Sequence, residues 1–202
     1  MTISKEDHDR IANAIHSAES KTSSEIVCVL AQTSTHTTAL PVFIAAVVAL
    51  VAPWLLIIFT AMTVQRILSL QALIFLTLFL LFCIPRVRIG LIPRKARRAI
   101  AHRAAMEQFI SRGIGRRRDR HGILIFVSLA ERYARIIADD EIAARVPQSE
   151  WQSAIDALIA HMQDGRIADG FITAINRCGD ELAKHFPRTV TNDLPPDRIY
   201  LI

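Results

Sequence analysis

Two apolar stretches, Ala39 to Met62 and Ile67 to Pro85, carry no charged residue and are separated only by Thr63, Val64, Gln65 and Arg66. No acidic residue lies between Glu25 and Glu107. As helices the two stretches would measure roughly 36 and 28 Å, against about 30 Å for a bilayer core. The sequence therefore predicts a transmembrane helical hairpin over residues 39–85. A hairpin returns the chain to the face it left, so the segments before and after it meet on one side. The polar segment ahead of it, with Lys5, Asp7 and Glu25, is unlike a secretory signal, which opens on a basic end and a short apolar core.

With the hairpin set aside, the 202 residues leave enough chain for one compact domain. The net charge of +5 is unevenly spread. Arg86, Arg88, Arg94, Lys95, Arg97, Arg98 and Arg103 follow the second span, then Arg112, Arg116, Arg117, Arg118 and Arg120. The turn of the hairpin carries only Arg66. Lys and Arg near span ends favour the cytoplasmic side, so a multi-pass protein with both termini cytoplasmic is expected. Arg94, Lys95, Arg97 and Arg98 are candidate contacts for anionic headgroups of the lipid bilayer, each cation adding about 1 kcal/mol near such a surface. Nucleic acid is the competing partner for a basic run, and none is expected, because no aromatics interleave with it and no binding module is recognisable. Cys28, Cys83 and Cys178 lie far apart in apolar contexts with no CxxC pair, which predicts buried, reduced thiols.

Local patterns give the elements. Ser4 with Asp7 marks a helix start, and Ile11, Ala14, Ile15 and Ala18 recur at helical spacing over residues 4–20. Glu25 to Ala31 reads as a buried strand. Residues 94–111 read as a basic helix with Ile100, Ala104, Phe109 and Ile110 inward. Gly122 to Leu129 is the strongest strand, and Tyr133 to Ala138 pairs with it as a hairpin. Glu141 to Arg145 makes a short turn. Helix 148–163 buries Trp151, Ile155, Leu158 and Ile159; helix 166–186 buries Phe171, Ile172, Ile175, Cys178, Leu182 and Phe186. The tail Ile199 to Ile202 either adds an edge strand or lies as an apolar segment.

The economical assembly is one α/β domain built from residues 1–31 and 94–202, with the hairpin 39–85 inserted in a strand–helix–strand crossover. Its first two strands run parallel and the third antiparallel beside the second. Glu25, Asp119, His121, Asp139, Asp140 and Glu141 then gather at one end of the sheet. Ala31, Ser128, Glu131 and Arg132 gather at the other, the end expected to face the membrane.

Several segments resemble the TPM domain: SSEIVCVL (Ser23 to Leu30), FISRGIG (Phe109 to Gly115), HGILIFVSL (His121 to Leu129), RIIAD (Arg135 to Asp139) and GRIADGFITAI (Gly165 to Ile175). That domain occurs in bacterial membrane proteins and in a thylakoid-lumen acid phosphatase linked to photosystem II repair. The resemblance implies a small α/β/α sandwich with a mixed sheet, here interrupted by the two-helix transmembrane hairpin, in a bacterial inner (cytoplasmic) membrane. It also implies a divalent-metal or phosphate site in the loops before the second strand and after the third. Many relatives carry an acidic residue and an Asn just before the position of Gly122. This chain has Arg120 and His121 there, with Asp119 one step earlier.

Carboxylates gathered at a sheet end can hold a hard cation such as Ca or Mg through oxygen ligands. Asp119, His121, Asp139, Asp140 and Glu141 are the candidate metal or phosphate site, with Arg116, Arg117 and Arg118 near enough in sequence to meet phosphate. The competing assignment places Asp140 and Glu141 in the first turn of a helix, where negative charge is favourable. Ser128 has no evident base, so no catalytic nucleophile is assigned. Glu131 and Arg132 are expected to pair across their turn. The spans hold no ionisable residue in their interior, which suits an anchor better than a transport path. The sequence thus favours a non-catalytic module that binds a membrane or cytoplasmic protein partner or a second copy of itself. The alternative is a metal-dependent phosphatase, with Asp119, Asp139 and Asp140 on the cation and Arg117 or His121 on phosphate.

Overall fold

The computed structural model describes residues 4–32, 39–59, 63–84, 93–114, 121–188 and 199–201. The chain divides into two compact units, Met1–Ser34 with Ala99–Ile202, and Thr35–Arg98.

The first unit is built on a four-stranded sheet of order β3-β2-β1-β4. Strands β1 (Glu25–Ala31) and β2 (Gly122–Ser128) are parallel and in register from Glu25↔Gly122 to Ala31↔Ser128. Strand β3 (Tyr133–Ala138) runs antiparallel along β2. The tail forms the edge strand β4 (Ile199–Leu201), parallel to β1. The Arg112 guanidinium lies 3.6 Å from the centre of the Tyr200 ring and holds that edge.

The side-chain alternation of β1 and β2 sorts two cores. Ile26, Cys28, Leu30, Ile123, Ile125 and Val127 face the larger one, which α1 (Lys5–Glu19) helps to cover. Helices α6 (Gln148–Gln163) and α7 (Ile167–His185) complete that layer. Val27, Val29, Leu124 and Phe126 face the smaller core under α4 (Arg94–Ser111). The sheet therefore has helices on both faces, an α/β fold. Ser4 caps α1 by accepting the Asp7 N–H at 3.0 Å. Where α1 crosses α7, a Cβ added at Gly179 would lie 2.6 Å from the Ala18 Cβ, so glycine is what permits the approach.

Some boundaries and faces differ from expectation. On α4, Ala104 and Phe109 pack on the smaller core as expected, the most buried positions are Ala101 and Ala105, and Ile110 is half exposed. Asp140 joins the short helix α5 (Asp140–Arg145). Ile159 and Ile172 pack at the rim of the core rather than inside it.

The second unit contains α2 (Ala39–Phe59) and α3 (Val64–Cys83), packed against each other. Ala45, Ala49 and Ile67 are buried there, whereas Phe43, Leu50, Trp54, Ile58, Phe59 and Leu73 are exposed. Among the described residues one helix, Val64–Phe82, is long and apolar enough to cross a membrane. The apolar portion of α2, Ala45–Phe59, is shorter. By length and apolarity the described helices do not support the multi-pass expectation.

Candidate functional site

At the end of the sheet where β1 and β2 begin, Asp139 is buried and both its oxygens are engaged. Its Oδ1 accepts the Ile142 N–H at 2.8 Å as the N-cap of α5, and its Oδ2 accepts the Gly122 N–H at 3.0 Å. An Asp directly after a strand and before a helix is well suited to this, because its short side chain reaches the free N–H groups of the first turn. His121 places Nδ1 3.3 Å from the same Oδ2 and Nε2 3.4 Å from Glu141 Oε2. Glu141 Oε1 in turn meets Arg145 at 2.6 Å. Phe186 backs the group: its ring centre is 5.1 Å from that of His121, and the Arg145 guanidinium stands 4.8 Å from it.

The structure thus brings His121, Asp139 and Glu141 together and leaves Asp140 exposed on the first turn of α5. Asp119, Arg116, Arg117, Arg118 and Arg120 lie outside the described residues. Arg145 and Phe186 were not anticipated. The four-residue spacing of Glu141 and Arg145 is a local signal for the first; Phe186 has none, because it arrives from the far end of α7.

A calcium or magnesium ion asks for about six or more oxygen ligands, water included. Here both Asp139 oxygens already serve backbone donors, and Glu141 is shared between His121 and Arg145. Among the described residues no three His, Cys, Asp or Glu side chains are arranged to hold a metal. The described donor set does not fit such a cation.

At the opposite end of the sheet, the Ser128 hydroxyl donates to the Glu131 carboxylate, and both residues are buried. Sequence reading left Ser128 without a partner, but the turn after β2 folds Glu131 back onto it. Each satisfies a polar group that would cost about 1–3 kcal/mol if buried alone. Arg132 occupies the left-handed region at φ 51° in this turn, and its side chain is exposed. With Ser128, Leu129, Ile159, Met162 and Gln163 it lines a cavity of about 440 Å³.

Cys28 and Cys178 are free and buried, as expected. Burial, then the proximity of Cys178 and Glu19, raises the Cys28 thiol well above its ordinary range. Burial pushes Cys178 up to about 12. Neither is a thiolate near neutral pH, so neither is a nucleophile. Glu19, also buried, accepts the Ile26 N–H at 2.7 Å and ties α1 to the start of β1.

Residues 86–181 match the family model described as the TPM domain. The structure is similar to the NMR structure of the BA42 protein from the psychrophilic bacterium Bizionia argentinensis, with a TM-score of 0.62 and 19% identity. The similarity covers 100% of this chain and 96% of that one. At that identity the likeness shows the fold alone. No curated protein matches the chain. The matched segment carries β2, β3 and most of α7, and β1 with α1 completes the sheet and core around it. Residues 86–181 of the chain are thus similar to the TPM domain.

Proposed function

We propose that this protein is a membrane-anchored TPM-domain protein of the bacterial inner membrane, in which α2 and α3 enter and return as one hairpin, so that β1 and β2 can pair on the cytoplasmic side and both termini lie there. Its α/β domain serves as a non-catalytic interaction or membrane-complex maintenance module for a protein partner. The observation that carries the reading is Asp139: its two oxygens cap α5 and hold the start of β2, so the central carboxylate of the sheet end is structural. The exposed apolar side chains of α2 and α3 support the anchor, since so many large apolar groups facing water would drive aggregation. Arg94, Lys95 and Arg98 are exposed at the start of α4 and suit anionic headgroups, with Arg97 half-buried among them.

Cysteine-label mapping at Ser20 and Asp156 in intact cells tests the arrangement; both labels are expected behind the inner membrane. Hydrolysis of a phosphoester by the purified chain, dependent on Ca or Mg and lost in Asp139→Asn, would replace this reading with the phosphatase one. Expected instead is no turnover, together with a protein partner that co-purifies in mild detergent.

A further inference from the structure

Strand β3 ends the sheet, and no other described strand pairs with its outer side. A cavity of about 260 Å³ follows that side. Its floor is the run Arg135–Ala138. One wall is His102 and Met106 of α4, and the other includes Val146 and Trp151. Because α4 covers one face of the sheet and α6, which carries Trp151, covers the other, a cavity between them lies at the sheet's edge.

The backbone there is available for pairing. The Asp139 N–H donates to the Gly122 carbonyl at 3.1 Å, so the odd-numbered residues of β3 turn their peptide groups toward β2. Antiparallel alternation then turns the N–H and C=O of Ile136 and Ala138 outward. The side chains follow the opposite logic. Tyr133 and Ile137 pack on the smaller core, which puts Arg135 on the α4 side, while Ile136 packs on the larger core beside Trp151 and Val146.

We propose that this edge is the docking groove of the interaction module: an extended segment of a partner protein adds to β3 as a fifth strand. The inference rests on the reading given above and names the partner's chemistry. Side chains on one face of the added strand meet Arg135 and the His102 side of the groove. Those on the other face meet Val146 and Trp151. Arg135 is the charged residue among those lining the groove. The segment that fits therefore alternates acidic and apolar residues, with backbone hydrogen bonds giving affinity and the alternation giving specificity.

The test uses the full chain in detergent micelles and a fluorescein-labelled, end-capped hexapeptide of alternating glutamate and valine. Saturable binding is expected, with slower hydrogen exchange at the Ile136 and Ala138 amides. A lysine–valine peptide should bind at least about tenfold more weakly, as should a glutamate–valine peptide N-methylated at alternate residues. Arg135→Glu, an exposed change, should reverse the preference for glutamate over lysine. Equal binding of all three peptides, no binding at all, or unchanged exchange at both amides overturns the groove. A natural partner that binds without slowing those amides overturns it too while leaving the module reading intact; metal-dependent phosphoester turnover overturns the module reading and leaves the peptide result to stand separately.

Discussion

The Oδ2 atom of Asp139 lies 3.0 Å from the backbone nitrogen of Gly122, just beyond the Ile123↔Ala138 rung that opens the β2–β3 pair. One carboxylate thus closes the start of a strand and, through Oδ1, the start of a helix. Each of its two oxygens accepts one backbone N–H, so the side chain ties two elements together.

Asp139→Ala should therefore cost stability whether or not any ligand is present. Losing a helix cap costs about 0.5–2 kcal/mol, and a buried N–H left without a partner costs about 1–3 kcal/mol. Urea unfolding should show a loss of about 2–4 kcal/mol on these grounds, unchanged by added calcium. Stabilisation of the native protein by calcium that disappears in the variant would assign Asp139 to a metal instead.

Gly179→Ala should destabilise the domain although alanine is the better helix former. The helix preference favours alanine by about 1 kcal/mol. Against it, the new Cβ would sit 2.6 Å from the Ala18 Cβ and 3.3 Å from its Cα, and an overpacked core costs about 1–3 kcal/mol. Adding Ala18→Gly should recover much of the loss, and a double-mutant cycle measures that coupling.

The two buried thiols make stability fall at alkaline pH. Their folded pKa values lie above the ordinary 9.0, with Cys178 at about 12, so between those values the folded state holds protons that the unfolded state releases. Their contribution is full below pH 9 and is lost as pH climbs toward 12. The decline between pH 8.5 and 10 should be shallower in a Cys28→Ala, Cys178→Ala double variant. Native protein at pH 8 should leave both thiols unmodified by iodoacetamide in mass spectrometry.

Tyr200→Ala should loosen the sheet edge. It removes the ring under Arg112, a contact of about 0.5–2 kcal/mol, from a strand of three residues. Limited proteolysis should release the C-terminal peptide faster than in the parent, with thermal unfolding of the rest nearly unchanged.

Leu73→Arg tests the anchor. Leu73 lies near the middle of the apolar helix Val64–Phe82, and arginine there costs about 2.5–3.5 kcal/mol of insertion. The variant should shift from the alkaline-resistant membrane pellet to the soluble or aggregated fraction. Equal extraction of both proteins would remove the membrane reading.

Much of this fold is legible from short-range pattern. Ser4 and Asp7 announce α1, the unbroken apolar runs from Glu25 and Gly122 announce β1 and β2, and the boundaries of β3, α4 and α6 follow from periodicity. The parallel pairing of β1 with β2 was also legible, because a chain that leaves and returns by helices re-enters a sheet in the same direction. Such features depend on residues within a turn or two of each other, and the chain carries that information locally.

The tertiary structure alone decided which of those residues meet. Arg10 and Asp169 form a 2.6 Å ion pair although they stand 159 positions apart. Phe186 comes to back His121, Glu131 turns inward to Ser128, and the tail chooses the open edge of β1. It also decided that Asp139 is a cap, since a carboxylate becomes structural or free according to whether backbone N–H groups arrive within reach. Neighbourhood in space follows from how helices of given bulk settle on a twisted sheet, and no window of sequence contains that sum.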